Sequence, residues 1–353
     1  MAKSIPSLFD LTFSELQTLM RTWGEATFRA KQVWNWLYVQ LADRYETMTN
    51  LSTALRDRLQ AEYPINRLTR KLDVLSTDGW TRKILFALPD GAQIETVLME
   101  YDTRNTACVS TQAGCAMGCT FCATGQAGFQ RNLSSGEIVE QVLFFERELR
   151  ASERETKTKL RVDKNPGHTA NRHELGGDSH RLTNIVFMGM GEPFANYNEL
   201  MDALTCLNDP AGYSFGARRM TVSTVGLVPM IERFTQERSQ VNLAVSLHAA
   251  TDELRETMLP INKRFPLHML MQACRAYTEK THRRISYEWA LIEGVNDTTE
   301  QARLLVRLIK GMLCHVNLIP LNPTHDFAGQ ASTRDRIAAF RLILDQAGIP
   351  NSL

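Results

Sequence analysis

The chain has 353 residues, 43% of them hydrophobic and 22% charged, which supplies apolar material for one large domain and a small one and excludes a disordered chain. Its net charge of +1 excludes a protein that holds nucleic acid through bulk positive charge, so RNA contact has to come from local basic patches. The N-terminal MAKSIPSLFD lacks a signal-peptide core, no stretch reaches bilayer-spanning length, and seven cysteines, an odd number, do not make a secreted disulfide framework. A cytoplasmic location with no membrane partner is expected.

In chain order, residues 12 to 62 read as helical, with Phe13, Leu16, Leu19 and Met20 at helical spacing and Val33, Trp36 and Leu37 on one face of FRAKQVWNWLY. Residues 67 to 100 change to short alternating runs, KLDVLSTDG, TRKILFALPDG and QIETVLM, broken by Asp-Gly turns, and predict a small antiparallel sheet. Strand-like runs and helices then alternate six times: TACVSTQ, LTNIVFMGM, RRMTVSTVG, QVNLAVSLHA, RRISYEWALI and HVNLIPLNP. Capping-box starts are expected at Ser134 to Glu137, Asn196 to Glu199 and Ser332 to Asp335. The pattern predicts an α/β protein: a helical domain over 1–65, a linking β-segment over 66–100, and a partial (β/α)6 barrel over 101–350. Residues 151–181, charged and poor in large apolar side chains, read as an inserted surface loop whose His168, His173 and His180 are solvated rather than metal ligands.

Chemistry concentrates in GCAMGCTFC, where Cys115, Cys119 and Cys122 fall within eight residues. Three thiolates from one short loop need a cation to hold their charge. Structural zinc wants four closed ligands, and no further Cys or His follows until His168; a 4Fe-4S cluster held by three thiolates keeps one iron open for a ligand. Polar residues gather at the C-terminal ends of the predicted strands, in GMGEP and at Ser223, Ser246, His248 and Asn322, on the rim where barrels bind ligands. Cys206 and Cys274 read as helical, and Cys314 falls just before the sixth strand.

The C-x3-C-x2-C spacing with Phe121 before the last cysteine resembles the radical S-adenosylmethionine (SAM) enzymes. The larger set, ETVLM at Glu95, CVSTQAGCAMGCTFC from Cys108, GFQRNL from Gly128, FMGMGEP, TVSTVGLVP, AVSLHA and IPLNP, resembles the RlmN/Cfr-type radical SAM RNA methyltransferases from about Glu95 to Pro350, and more loosely through the N-terminal region. That family divides into a branch that methylates C2 of adenosine in 23S rRNA (position 2503) and tRNA (position 37), which the chain resembles more, and a C8-methylating branch of the antibiotic-resistance type.

The resemblance implies a set of roles. Cys115, Cys119 and Cys122 would ligate a 4Fe-4S cluster whose open iron takes SAM. Gly191 and Glu192 would meet the SAM amino group, and Ser223, Ser246, Leu247, His248 and Asn322 would hold its ribose, carboxylate and adenine. Glu95 would accept a proton. In the family's mechanism a second cysteine near the C-terminus receives a methyl group, a SAM-derived radical abstracts hydrogen from it, the carbon radical adds to adenine, and the counterpart of Cys108 releases the RNA by forming a disulfide. Implied partners are 23S rRNA, tRNA and an electron donor such as flavodoxin or ferredoxin, with the protein a monomer. Basic and aromatic residues of FRAKQVWNWLY, with Arg67, Arg70 and Lys71, are expected to contact RNA. The family pattern continues past the last helix to its methyl-carrying cysteine, whereas the 353 residues stop at Asn351-Ser352-Leu353; the expectation for the chain as given is SAM cleavage without methyl transfer, or an inactive cluster-containing RNA-binding remnant.

Overall fold

The computed structural model describes residues 6–162, 180–324 and 326–353, with the backbone alone for 153–162. Three helices open the chain: α1 (Phe13–Thr22), α2 (Phe28–Tyr38) and α3 (Thr53–Glu62). Strands β1 (Thr69–Leu75), β2 (Thr81–Ala87), β3 (Gln93–Tyr101), β4 (Arg104–Cys108) and β5 (Gln112–Gly114) follow, then α4 (Ala123–Gln126), β6 (Phe129–Asn132) and α5 (Ser135–Val162). The alternation continues as β7 (Asn184–Phe187), α6 (Tyr197–Asn208), β8 (Met220–Thr224), α7 (Val228–Gln236), β9 (Asn242–Ser246), α8 (Asp252–Met258) and α9 (Leu267–Thr281). It ends with β10 (Ile285–Leu291), α10 (Thr299–Ile309), β11 (Cys314–Pro320), α11 (Arg334–Gln346) and β12 (Asn351–Ser352).

The six expected strand-helix repeats are present, with β4, β7, β8, β9, β10 and β11 as their strands. The chain forms two compact units, Met1–Thr111 with Asn132–Gly189 and Asn198–Met220, and Gln112–Arg131 with Met190–Tyr197 and Thr221–Leu353.

In the first unit β1, β2, β3 and β4 run antiparallel, and β4 pairs with β7 in parallel. Period-2 alternation decides the faces: Ile94, Thr96 and Leu98 are buried while Glu95, Val97 and Met99 between them are not. Phe86 meets Phe144 of α5 edge to face at 5.1 Å between centroids. The Asp-Gly turns are present, with Gly79 and Gly91 in the left-handed region that such hairpins require. Among the N-terminal helices of this unit one expectation changes. Trp34, 1% exposed, packs on Phe13 and Tyr38, whereas Trp36 is half-buried and donates through its indole to Asn50 Oδ1 at 2.6 Å. Trp34 is therefore core and offers no face to a base. Arg67 is likewise withdrawn, its side chain mostly buried 3.8 Å from the Asp10 carboxylate.

The second unit carries β8, β9, β10, β11 and β12, paired in parallel in that order, and a two-stranded sheet of β5 and β6. β12 adds a short strand where the sequence predicted none.

Two further boundaries move. The Ser134–Glu137 capping box forms as expected, but α11 is capped one residue later, by Thr333, because Ser332 spends its hydroxyl on Asp297. α5 runs through Val162, so residues 151–162 of the expected loop are helix; His168 and His173 lie outside the described residues, and His180 is half-buried. No helix among the described residues is long and apolar enough to cross a membrane.

Candidate cofactor and catalytic site

The thiol loop belongs to the second unit and is shaped by close backbone packing. Gly114, at φ +72°, brings its Cα so near the Gly128 carbonyl that an added Cβ would stand 1.9 Å from that oxygen, and the following Cys115 N–H donates to the same carbonyl at 2.9 Å. The loop then rests on α8, with Thr120 N donating to Met258 O at 3.0 Å, and Met117, Cys119 and Phe121 packed on a core of Val225, Met258, Leu259 and Ile292. Cys122 caps α4, and Gln126 ties back to Thr120 O.

Among the described residues no three His, Cys, Asp or Glu side chains close on a common metal-ligating point. The three thiols nevertheless share one electrostatic environment. Burial pushes Cys119 up to about 12; Cys122, Cys115 and the Glu192 carboxylate push the same way, and Arg255 opposes them. Cys115 is raised by burial too, with Cys122 adding to it. Three soft donors on one short loop, of which burial holds Cys115 and Cys119 protonated until a cation displaces their protons, suit an iron-sulfur cluster. The donor set fits the group that the motif implies.

The GMGEP turn and the ends of β8, β9 and β11 belong to the same unit as this loop. Gly191 sits at φ +102°, where a Cβ would fall 2.5 Å from Gln112 Cβ, so no other residue fits. Glu192, 4% exposed, is the N-cap of the next turn: its carboxylate accepts from Phe194 N at 3.0 Å and from Val225 N at 2.8 Å, while its own N–H donates to Gln112 Oε1 at 2.8 Å. Burial raises its pKa to about 7 against these hydrogen bonds. Glu192 thus braces the turn to the end of β8 as well as offering a carboxylate to a cation. Ser223 and Ser246 face each other from β8 and β9 with hydroxyls 3.4 Å apart. Leu247 is fully buried and contributes only main chain, its N–H donating to Glu288 O at 3.0 Å. Asn322 is exposed, two residues beyond β11.

His248 has a defined state. Its Nδ1 accepts from Ala290 N at 2.9 Å, so the neutral ring carries its hydrogen on Nε2, and burial followed by the neighbouring Arg255 charge depresses its pKa to about 3. Phe121 of the thiol loop packs edge-on against it, centroids 5.0 Å apart. The ring is a fixed, uncharged hydrogen-bond donor beside the loop.

Arg255 is not among the residues singled out from the sequence, where an arginine in DELRETM reads as a solvated helix charge. It is fully buried. The signal was available, since Met258 and Leu259, three and four residues on, are core and put Arg255 on the apolar face of α8.

Glu95 and Cys108 belong to the first unit. Cys108 pairs opposite Val97, two residues along β3 from Glu95, so both side chains lie on the same, less buried face of the sheet as diagonal neighbours. Glu95 is 3.0 Å from Lys83 Nζ with its side chain 44% exposed. Burial pushes the Cys108 thiol up to about 12. Ser110 Oγ donates to the Glu95 carbonyl at 2.6 Å, and the buried amide of Gln141 on α5 holds Ser110 from both sides, accepting from its N–H at 2.8 Å and donating to its carbonyl at 3.0 Å. Gln141 was also missed, because a glutamine on a long charged helix carries no mark of burial.

Across 349 residues the chain is 48% identical to a probable dual-specificity RNA methyltransferase RlmN of Chloroflexus aurantiacus, spanning 97% of this chain and 87% of that relative. The chain belongs to the RlmN-type radical SAM methyltransferase family. A relative of the same description from Staphylococcus aureus (strain Newman) is 43% identical over 97% of this chain and 87% of its own length. Residues 7–65 match the ribosomal RNA large subunit methyltransferase N-terminal domain. The crystal structure of a radical SAM methyltransferase from Sphaerobacter thermophilus superposes with a TM-score of 0.89 at 46% identity, covering 98% of this chain and 94% of that one. The α/β class with its helical N-terminal part is thus the fold of the family.

Proposed function

We propose that this protein is a radical SAM enzyme that methylates C2 of adenosine in 23S rRNA and tRNA. The observation that carries the reading is the near-full-length identity to relatives described as dual-specificity RNA methyltransferases, joined to the thiol loop and strand-end rim that such chemistry requires. Cys115, Cys119 and Cys122 would hold a 4Fe-4S cluster, which supplies the electron for reductive cleavage of SAM. The GMGEP turn, braced by Glu192, would receive the SAM ammonium; Ser223 and Ser246 would bind polar edges of the ligand, and the His248 Nε2–H would donate to an acceptor on it. Asn322, exposed beyond β11, is free of strand pairing and available to the adenine.

On the first unit, Glu95 and Cys108 share a sheet face as diagonal neighbours on adjacent strands, where a proton acceptor and a thiol would stand near each other. Burial holds the Cys108 thiol protonated, and Glu95, in contact with Lys83, would be the proton acceptor of the reaction on that face. Exposed Arg70 and Lys71 extend the basic surface that RNA would need, without Trp34 or Arg67. The protein would act in the cytoplasm as a monomer, taking electrons from a flavodoxin or ferredoxin.

The test is nucleoside mass spectrometry of 23S rRNA and tRNA from a host that lacks its own enzyme and expresses this gene. 2-Methyladenosine in both RNAs is the expected result, and it would overturn the expectation of SAM cleavage without methyl transfer. 8-Methyladenosine would overturn the regiochemistry in favour of the C8-methylating branch, and no methyladenosine in either RNA would overturn the substrate.

A further inference from the structure

We propose that Arg255 is a positioning residue for the cofactor end of the second unit: it fixes the ends of β8 and β9 and places a positive charge beside the thiol loop. This rests on the reading of that loop as a cluster site and goes beyond it, because no motif of the family resemblance includes Arg255.

The guanidinium spends its donors on neutral acceptors. Nε donates to Leu247 O at 3.1 Å, one terminal nitrogen to Val225 O at 2.6 Å and to Ser246 O at 3.2 Å, and the other to Asn262 Oδ1 at 2.9 Å. Three of these are carbonyls just at or beyond the strand ends, in the segments TVSTVG and AVSLHA that contain Ser223, Ser246 and His248. The fork is held in turn: Asn262 Nδ2 donates to Asp252 Oδ1 at 2.8 Å, and the same carboxylate oxygen accepts from Leu267 N at 2.7 Å. An arginine can hold three carbonyls and an amide at once because its donors lie in one rigid plane; a lysine presents one rotating point charge.

The second argument concerns charge. A fully buried guanidinium is ordinarily paired with a carboxylate, since a cation withdrawn from water and left with neutral partners is destabilising. Cys119 packs against the core that contains Val225, whose carbonyl Arg255 holds, and Met258. The loop carrying Cys119 is hydrogen-bonded to Met258, one turn further along α8. The counter-charge that Arg255 lacks among its hydrogen-bond partners is therefore available from a deprotonated thiol loop, and Arg255 in turn offsets negative charge accumulating there.

The two roles separate in two variants of the full chain, both reconstituted anaerobically. R255Q keeps hydrogen-bonding groups and removes the charge; R255K keeps the charge and loses the fork. Iron and sulfide per chain are measured first, then the ratio of reduced to oxidised cluster by electron paramagnetic resonance at a fixed solution potential, and SAM affinity by anaerobic equilibrium dialysis. For R255Q the reduced-to-oxidised ratio should fall about tenfold, the size expected for one charge removed at partly buried range. For R255K that ratio should stay within about twofold of the parent while SAM affinity falls about tenfold, as expected when hydrogen bonds fixing the rim are lost. An unchanged ratio in R255Q, or unchanged SAM affinity in R255K, overturns the proposal. If R255Q does not fold, R255K still decides, since wild-type affinity for SAM would show that the fork fixes nothing. A parent protein that takes up no iron overturns the cluster reading itself, and is distinguished by the first measurement.

Discussion

At His248 the backbone sits at φ +57°, a region costly for most side chains, and the ring is buried with its Nδ1 committed to Ala290 N. Protonation of the folded state has to break that hydrogen bond and charge a site already facing Arg255, which is why the pKa falls to about 3. The unfolded chain takes up the proton near pH 6.5, so in the window between the two values the unfolded state binds more protons and folding weakens as pH drops. Asparagine tolerates the left-handed conformation and offers an oxygen where Nδ1 stands. His248→Asn should therefore fold at neutral pH and remove a slope of about 1.4 kcal/mol per pH unit between roughly pH 6 and pH 4. Urea unfolding of both proteins across that range measures it, and parallel stability curves would mean that His248 is charged in the fold. His248 was legible in the sequence because it sits in a motif at a strand end. Arg255, eight residues from Leu247 in the chain, was not, since its importance comes from carbonyls contributed by two different strands.

The helix α5 shows what element-scale pattern can and cannot reveal. Its start was legible in the Ser134–Glu137 box, a local signal that depends on residues three apart. Its buried polar stripe was not, because Glu137, Glu140, Gln141 and Glu146 read as a solvated face until the sheet and neighbouring segments are laid against them. Glu140 accepts from Leu68 N at 3.1 Å and Glu146 from Leu182 N at 2.9 Å, while Gln141 uses both halves of its amide, its oxygen accepting also from Thr96 Oγ1 at 2.7 Å and its nitrogen donating also to Glu137 O at 3.0 Å. The helix thus satisfies polar groups of the strands that carry Glu95 and Cys108. Gln141→Leu preserves volume but leaves the Ser110 N–H and carbonyl and the Thr96 hydroxyl without that partner in a dry site. It should destabilise the protein by about 3 kcal/mol, the scale expected for orphaned buried groups. A denaturant midpoint within error of the parent, at unchanged slope, would show that water replaces the amide and that α5 does not fix this part of the sheet.

For the whole molecule, the α/β class was legible because alternating strand-like and helical runs leave few topologies open, and a right-handed crossover removes most of those. What the strand pattern could not supply is the electrostatic state of Cys119, which burial sets first and the other two cysteines next, with smaller parts from Glu192 of the GMGEP turn and Arg255 of α8. A cluster that binds the folded loop and not the unfolded chain has to stabilise the fold by mass action, through the second unit in which all three thiols lie. Anaerobic reconstitution should accordingly raise the thermal unfolding midpoint by about 5 °C or more over the iron-free protein, the scale expected from tight binding spread over a chain of this size. Removing iron with a chelator should return the midpoint to its starting value. Cys119→Ala deletes the thiol placed between the other two in the chain, and should abolish both the iron content and the rise while leaving the iron-free midpoint near that of the parent. A variant that still takes up a full cluster and still gains the same stability would show that Cys119 is not among the ligands, and would return the loop to the uncommitted choice of metals with which its cysteine spacing began.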